Sequence, residues 1–236
     1  MTATGQVVDA LAPTGVLRAV INIGNPVLAQ GTRQRPAGVT VDLARELSRR
    51  LGVEGVLECV DAARHSFSAV ADGRADVGFL AVEPERAAQV AFTEPYALIE
   101  GVFAVPDGSA VRTADDVDRP GMRVGVKQGS AYDLYLSRTL QHAQVVRGAD
   151  GTVAFEEHAL EVAAGIRQPL TRYVATRPGL RVVEPRFTEI RQAVAMGRDR
   201  DPVAVAWLRD VVAGLTADGF VAASLARSGQ DATVPA

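Results

Sequence analysis

The residues of this chain that can do chemistry are suited to holding an anion. Arg86 comes just after an apolar run, Asp76–Val82. A guanidinium placed beyond the end of a buried strand can present its planar fork to a carboxylate. The plain alternative is a surface pair with Glu83 or Glu85. Gly129-Ser130-Ala131-Tyr132 reads as a turn into a helix start. There the first N–H groups lack intrahelical acceptors and the dipole favours negative charge. Ser130 is equally a good helix cap, and the two roles are compatible. Tyr132 either lines a pocket or packs. Glu100 is a lone charge in the apolar run Ala97–Val105, and a buried charge needs a partner. Arg86, a backbone donor or a ligand amine are the candidates.

Other chemistries find no support. His65, His142 and His158 do not have metal-ligand spacing, and His158 in EEHALE lacks the second histidine of a zinc-protease helix. No Gly-rich phosphate loop follows the first strand and no nucleophile elbow is visible. Neither a metal nor a cofactor is expected. The formal net charge of −3 favours neither nucleic acid nor an anionic membrane. Cys59 is the only cysteine, so no intrachain disulfide forms. Its place between Leu57 and Val60 points to a buried structural thiol. The opening MTATGQVVDALAPTG has no basic start, apolar core or cleavage site. No run of 18 apolar residues is present.

The elements that position these residues follow from periodicity. With 236 residues, 47% hydrophobic and 22% charged, the chain can bury a real core. Gly15–Ile23 is a strand, and Gly24-Asn25-Pro26 a turn. Gln30–Gly38 is polar and reads as an exposed loop. Thr40 is placed to cap a helix through Leu51, with Leu43, Ala44, Leu47 and Leu51 on one face and Gly52 ending it. Val53–Val60 is a strand and Phe67–Ala71 a short helix preceded by Arg64 and His65. Then come the strand Asp76–Val82, a helix start at Pro84, and the strand Ala97–Val105. Pro106-Asp107-Gly108-Ser109 breaks the pattern.

After that break the alternation restarts. Met122–Lys127 is a strand, Ala131–Leu140 a helix and Val145–Arg147 a strand. Phe155–Leu160 is a helix, Val162–Ile166 a strand, and Pro169 opens a helix through Thr176. Leu180–Val183 and Ile190–Met196 are two further strands, the second returning to the first half. Asp201–Leu215 and Gly219–Ser228 are closing helices. The order predicts an α/β fold of two lobes, 1–105 with 197–236 and 106–196, each a sheet covered by helices.

These motifs resemble one family. GVTVDLARELSRRLGV, GRADVGFLAVEPERAAQVAFTEPY and DVDRPGMRVGVKQGSAYDLYL are similar to the amino-acid-binding branch of the bacterial extracytoplasmic solute-binding proteins. The likeness runs from Gly15 to Gly229. It implies the type II periplasmic binding fold, with two crossovers and a ligand cleft between the lobes. It also implies that Arg86 forks onto a ligand carboxylate while the backbone of Leu80 and Ala81 adds donors. Gly129, Ser130, Ala131 and Tyr132 would meet the same carboxylate from the other lobe. Asn22 or Asn25 would offer a polar contact, unless both serve turn chemistry. An aspartate usually holds the ligand's ammonium near Arg167-Gln168; this chain has VAAGIRQPL and no acid there. That departure favours a second anionic group on the ligand, unless Arg167 is a surface pair with Glu161 or Glu184.

The resemblance thus implies capture of a small carboxylate-bearing metabolite, an amino acid or related organic acid, by a monomer that delivers it to a membrane ABC permease. It implies an extracytoplasmic place, while the opening residues keep a cytoplasmic one open. Two alternatives stand beside it. One is a lyase like the cyclohexadienyl dehydratases, with Glu100 or Glu161 as acid or base. The other is a soluble sensor of the same ligand.

Overall fold

The computed structural model of the protein describes residues 3–235. Met1, Thr2 and Ala236, which the sequence reading assigned to the first lobe, lie outside the described residues. The chain divides into two compact units, Met1–Leu98 with Arg191–Ala236, and Ile99–Ile190.

In chain order, the first unit begins with α1 (Gly5–Leu11), β1 (Val16–Asn22), β2 (Gln30–Gly31), β3 (Pro36–Ala37), α2 (Val39–Leu51) and β4 (Glu54–Val60). It continues with α3 (Ala63–Ala71), β5 (Val77–Ala81), α4 (Pro84–Ala87) and β6 (Val90–Phe92). β7 (Ala97–Pro106) carries the chain into the second unit, which holds β8 (Arg123–Lys127), α5 (Ala131–Thr139), β9 (Gln144–Gly148), α6 (Gly151–Glu157), β10 (Val162–Ile166) and α7 (Arg167–Ala175). β11 (Leu180–Gly197) returns, and α8 (Pro202–Ala217) and α9 (Phe220–Arg227) complete the first unit.

In the first unit β1 lies between β4 and β5, parallel to both, and the later part of β11 runs antiparallel to β5 and β6. Every residue of β5 is buried, as its continuous apolar sequence predicts. Leu43, Ala44, Leu47 and Leu51 all face the core from α2, and Gly52 ends that helix in the left-handed region at φ 73°. In the second unit β8 is flanked by β9 and β10, parallel to each, and β10 is antiparallel to β7. Val102, Ala104, Ala163 and Leu170 form a core there, with Phe155, Tyr173, Val174 and Val182 packed on it.

Several expectations are corrected in detail. α2 starts from Gly38, not from a Thr40 cap; Thr40 is buried, and its hydroxyl donates to Leu28 O at 3.2 Å. The polar stretch 30–38 holds the β2–β3 pair, not only loop. α3 begins at Ala63, so Arg64 and His65 lie in its first turn. α6 begins at Gly151, capped by Asp150, well before Phe155. Cys59 is half-buried, because β4 pairs only with β1 and its other edge is open. The two strands expected over 180–183 and 190–196 are one strand, β11, which runs on through Glu184, Arg186 and Glu189. α1 was not anticipated; it buries Val7 and Leu11 and packs on α8.

One ionic cluster ties the first unit together. The fully buried carboxylate of Asp76 accepts from the Arg18 N–H at 2.9 Å, from Arg18 Nε at 3.0 Å and from Arg200 Nη2 at 2.7 Å. Arg200 also donates to Ala10 O at the end of α1. Burial alone would push the Asp76 carboxyl up, but these donors outweigh it and hold it below its usual value of 3.8. Asp76→Asn is therefore expected to cost about 3 kcal/mol near neutral pH, since two cations lose their shared counter-charge. A carboxyl whose folded pKa is depressed contributes stability above the unfolded pKa and loses it as pH falls through the folded one. In urea melts the gap between the wild type and Asp76→Asn should hold at neutral pH and close as pH drops below 3.8. A gap unchanged at low pH would contradict this.

Candidate functional site

Arg86 is buried, 3% exposed. Pro84 starts α4 directly beyond β5, so the single turn of helix folds Arg86 back over the strand end. Its Nη1 donates to Ala81 O at 3.2 Å. Burial lowers its pKa from the ordinary guanidinium value to about 10, and the nearby charges of Glu83 and Glu85 do not offset that burial. The cation is inside, not on the surface, and Glu83 beside it is buried too. Leu80 and Ala81 are buried in β5 and pair with Ala193 and Gln192 of β11. The Val82 N–H donates to Arg191 O, so the backbone donors expected from this stretch are partly engaged in the sheet.

In the second unit the start of α5 is built largely from its own residues. Gly129 sits at φ 70°, where a side chain is strained, and its N–H donates to Asp133 Oδ2 at 2.8 Å. Ser130 caps the helix by accepting from the Asp133 N–H at 3.1 Å, and its own N–H donates to Lys127 O. The expected row of free amides is thus shorter than the sequence suggested. The N–H groups of Ala131 and Tyr132 stand in the first turn, where no intrahelical carbonyl is in reach. Asp133, which the sequence reading did not single out, is buried and also accepts from Arg147 Nε at 3.0 Å and the Ser137 hydroxyl at 3.1 Å. Its i+3 spacing from Ser130 was the available signal. Tyr132 is buried, and that burial raises its phenol pKa; it packs.

Arg167 opens α7 itself, two residues ahead of the expected start at Pro169, and Gln168 follows in the same turn. Arg167 Nε donates to Glu100, Nη1 to Glu184 Oε1, and Nη2 to Glu184 Oε2 at 2.8 Å. The expected partner Glu184 is correct and Glu161 is not; Glu161 pairs with Arg123 on β8 at 2.8 Å. Glu100 finds its partners in Arg167 and in Arg186, whose Nη1 lies at 3.0 Å. Beside it, Gly101 has no room for a side chain: a Cβ would meet Thr188 Cγ2 at 2.7 Å and Phe187 Cζ at 2.9 Å. Asn22 and Asn25 both serve turns, Asn22 Oδ1 accepting from the Gly24 N–H and Asn25 Oδ1 from the Val27 N–H.

No group of histidine, cysteine and carboxylate side chains that could hold a metal occurs among the described residues. No described helix is long and apolar enough to cross a membrane.

The family described as bacterial extracellular solute-binding proteins, family 3, matches residues 18–228. No curated protein matches the sequence. Among solved structures, a mutant of ArgBP from T. maritima is 24% identical over 94% of this chain and 98% of its own, with a TM-score of 0.74. A putative binding component of an ABC transporter from Wolinella succinogenes, complexed with lysine, is 21% identical over 91% of this chain and 94% of its own, TM-score 0.71. An ancestral amino acid-binding protein, AncCDT-1, described as a precursor of cyclohexadienyl dehydratase, is 22% identical over 93% of this chain and 98% of its own, TM-score 0.73. At these identities the likeness is one of fold, the two-lobed α/β fold of type II periplasmic binding proteins.

The Ser130 cap gives a stability prediction separate from any ligand. Ser130→Ala should lower unfolding free energy by about 1 kcal/mol in urea titration. A loss near zero would mean that Asp133 holds the start of α5 without help from the hydroxyl.

Proposed function

We propose, from the premise that the chain belongs to family 3 of the bacterial extracellular solute-binding proteins, that it captures a small metabolite through a carboxylate. The observation that carries the reading is the buried Arg86 guanidinium at the end of β5. A desolvated cation gains most from a charge-assisted, two-pronged partner, and a ligand carboxylate supplies one. Within the second unit, the first-turn N–H groups of Ala131 and Tyr132 are donors suited to an anion. Leu80, Ala81, Gly129 and Ser130 act by shaping and holding these donors.

The ligand is an amino acid or related organic acid, and the protein works outside the cytoplasm as the capture component of an ABC importer. The family's description as extracellular supports the place. The fold shared with a putative ABC-transporter component supports the partner.

The fold shared with a dehydratase precursor makes a lyase the reading to weigh against this one. General acid catalysis needs a carboxyl whose pKa is raised towards the working pH. The Arg123 fork instead holds Glu161 below the usual carboxylate range. Glu100 is engaged by two arginines, Arg167 and Arg186. These pairings support binding rather than turnover.

Calorimetry of the purified protein against amino acids and organic acids should find a ligand that binds through its carboxylate. Arg86→Ala should weaken that ligand by about 2 kcal/mol or more, and unchanged affinity would overturn the clamp. Incubation with prephenate or arogenate should give no product; turnover would overturn the binding reading.

A further inference from the structure

We propose that Arg167 is a second carboxylate-binding group whose fork is occupied, in the unliganded protein, by the stand-in carboxylate of Glu184. The ligand class would then be a diacid: a dicarboxylate or an acidic amino acid. This rests on the carboxylate-capture reading above and narrows it.

The geometry of one unit carries the argument. Arg167 uses three nitrogens, and its two carboxylate partners are not equivalent. Glu100 lies in β7, accepts from both Arg167 and Arg186, and its side chain is 34% exposed. Glu184 accepts only from the two terminal nitrogens of Arg167 and is 60% exposed. Releasing Glu184 to water therefore costs little, because an exposed carboxylate is well solvated and such a pair contributes little net stability. Releasing Glu100 would break two pairs at once.

The fork facing Glu184 is also the bidentate edge that matches a planar carboxylate. An incoming carboxylate can replace Glu184 atom for atom and charge for charge. A ligand ammonium cannot: it would face a guanidinium, and both nearby carboxylates already accept arginine donors. Arg167 thus discriminates by charge without leaving a half-buried cation unanswered when the ligand is absent.

Position agrees with this. β8 and β10 are parallel neighbours with Ala163 level with Gly125. Carrying that register three residues further sets Ile166 level with Gln128. Their ends therefore lead, on adjacent strands about 5 Å apart, into Arg167 and into Gly129–Tyr132. Two anion-accepting groups of the same unit stand at one edge of its sheet, which suits two carboxylates of one small molecule.

Titration calorimetry of the full chain with succinate against butyrate, and glutamate against norvaline, tests this. Each pair is matched in carbon number. The diacid of each pair should bind at least about tenfold more tightly. Glu184→Gln should strengthen the diacids several-fold and leave the monoacids unchanged, and its exposed position makes it a safe variant for folding. Arg167→Gln should erase the difference within each pair, with circular dichroism confirming the fold.

Equal binding within the pairs, or a Glu184→Gln protein that gains nothing for diacids, overturns the inference while leaving carboxylate capture intact. Failure of all four probes beside another confirmed carboxylate ligand also overturns it. A protein that binds no carboxylate of any kind overturns the reading beneath it as well.

Discussion

A charge taken out of water has to be met by a fixed partner, and each unit is organised around such meetings. Asp76 is answered by two arginines, and the meeting joins β1, the start of β5, the end of α1 and the turn after β11. Asp133 is answered by the Gly129 N–H, the Ser137 hydroxyl and Arg147, and this fixes the turn between β8 and α5. Arg86 differs from both. A neutral carbonyl accepts from it, and its neighbouring carboxylates fail to offset the cost of burial. Of the three, it is the cation whose burial outweighs the charges around it.

The parallel arrangement explains why such groups gather at strand ends. In an open α/β sheet the carboxyl ends of parallel strands feed into helix starts, so N–H groups and strand-end side chains converge there. β5 leads to Arg86 through α4. β8 leads to Gly129–Tyr132 through the α5 turn, and β10 leads directly to Arg167. The three stretches singled out by residue type are therefore the same kind of place, repeated at different strands.

Much of this was legible because the signals are local. The unbroken apolar run before Glu83, the Pro at the start of α4 and the Gly-Ser pair before α5 each report on backbone within a few residues. The i+3 and i+4 pattern of Leu43, Leu47 and Leu51 works in the same way. What was not legible depends on distant chain. Whether Arg86 lies inside or outside is decided by what covers α4. That Glu100 meets Arg186 depends on a strand 86 residues later. β11 runs unbroken through a charged middle, where Glu184 meets Arg167 of α7 and Arg186 meets Glu100 of β7. The Thr40 cap failed for a similar reason: a hydroxyl near a helix start prefers a local amide only when no carbonyl from elsewhere, here Leu28 O, is closer.

The choice of cation is itself informative. The sequence holds a single lysine, Lys127, against a total of 25 basic residues. Nearly every ordered cation is therefore a planar fork that can bond a carboxylate and a carbonyl together. Arg18 joins Asp76 to Gly73 O, Arg123 joins Glu161 to Ala159 O, and Arg200 joins Asp76 to Ala10 O. An ammonium has the charge but not the five donors in fixed directions, so it could not tie a loop carbonyl and a buried carboxylate in one plane. A guanidinium also stays charged across the range in which carboxylates titrate. The pH response of these clusters therefore comes from their acids, and it acts in one direction: acid loosens them, and mild base leaves them intact.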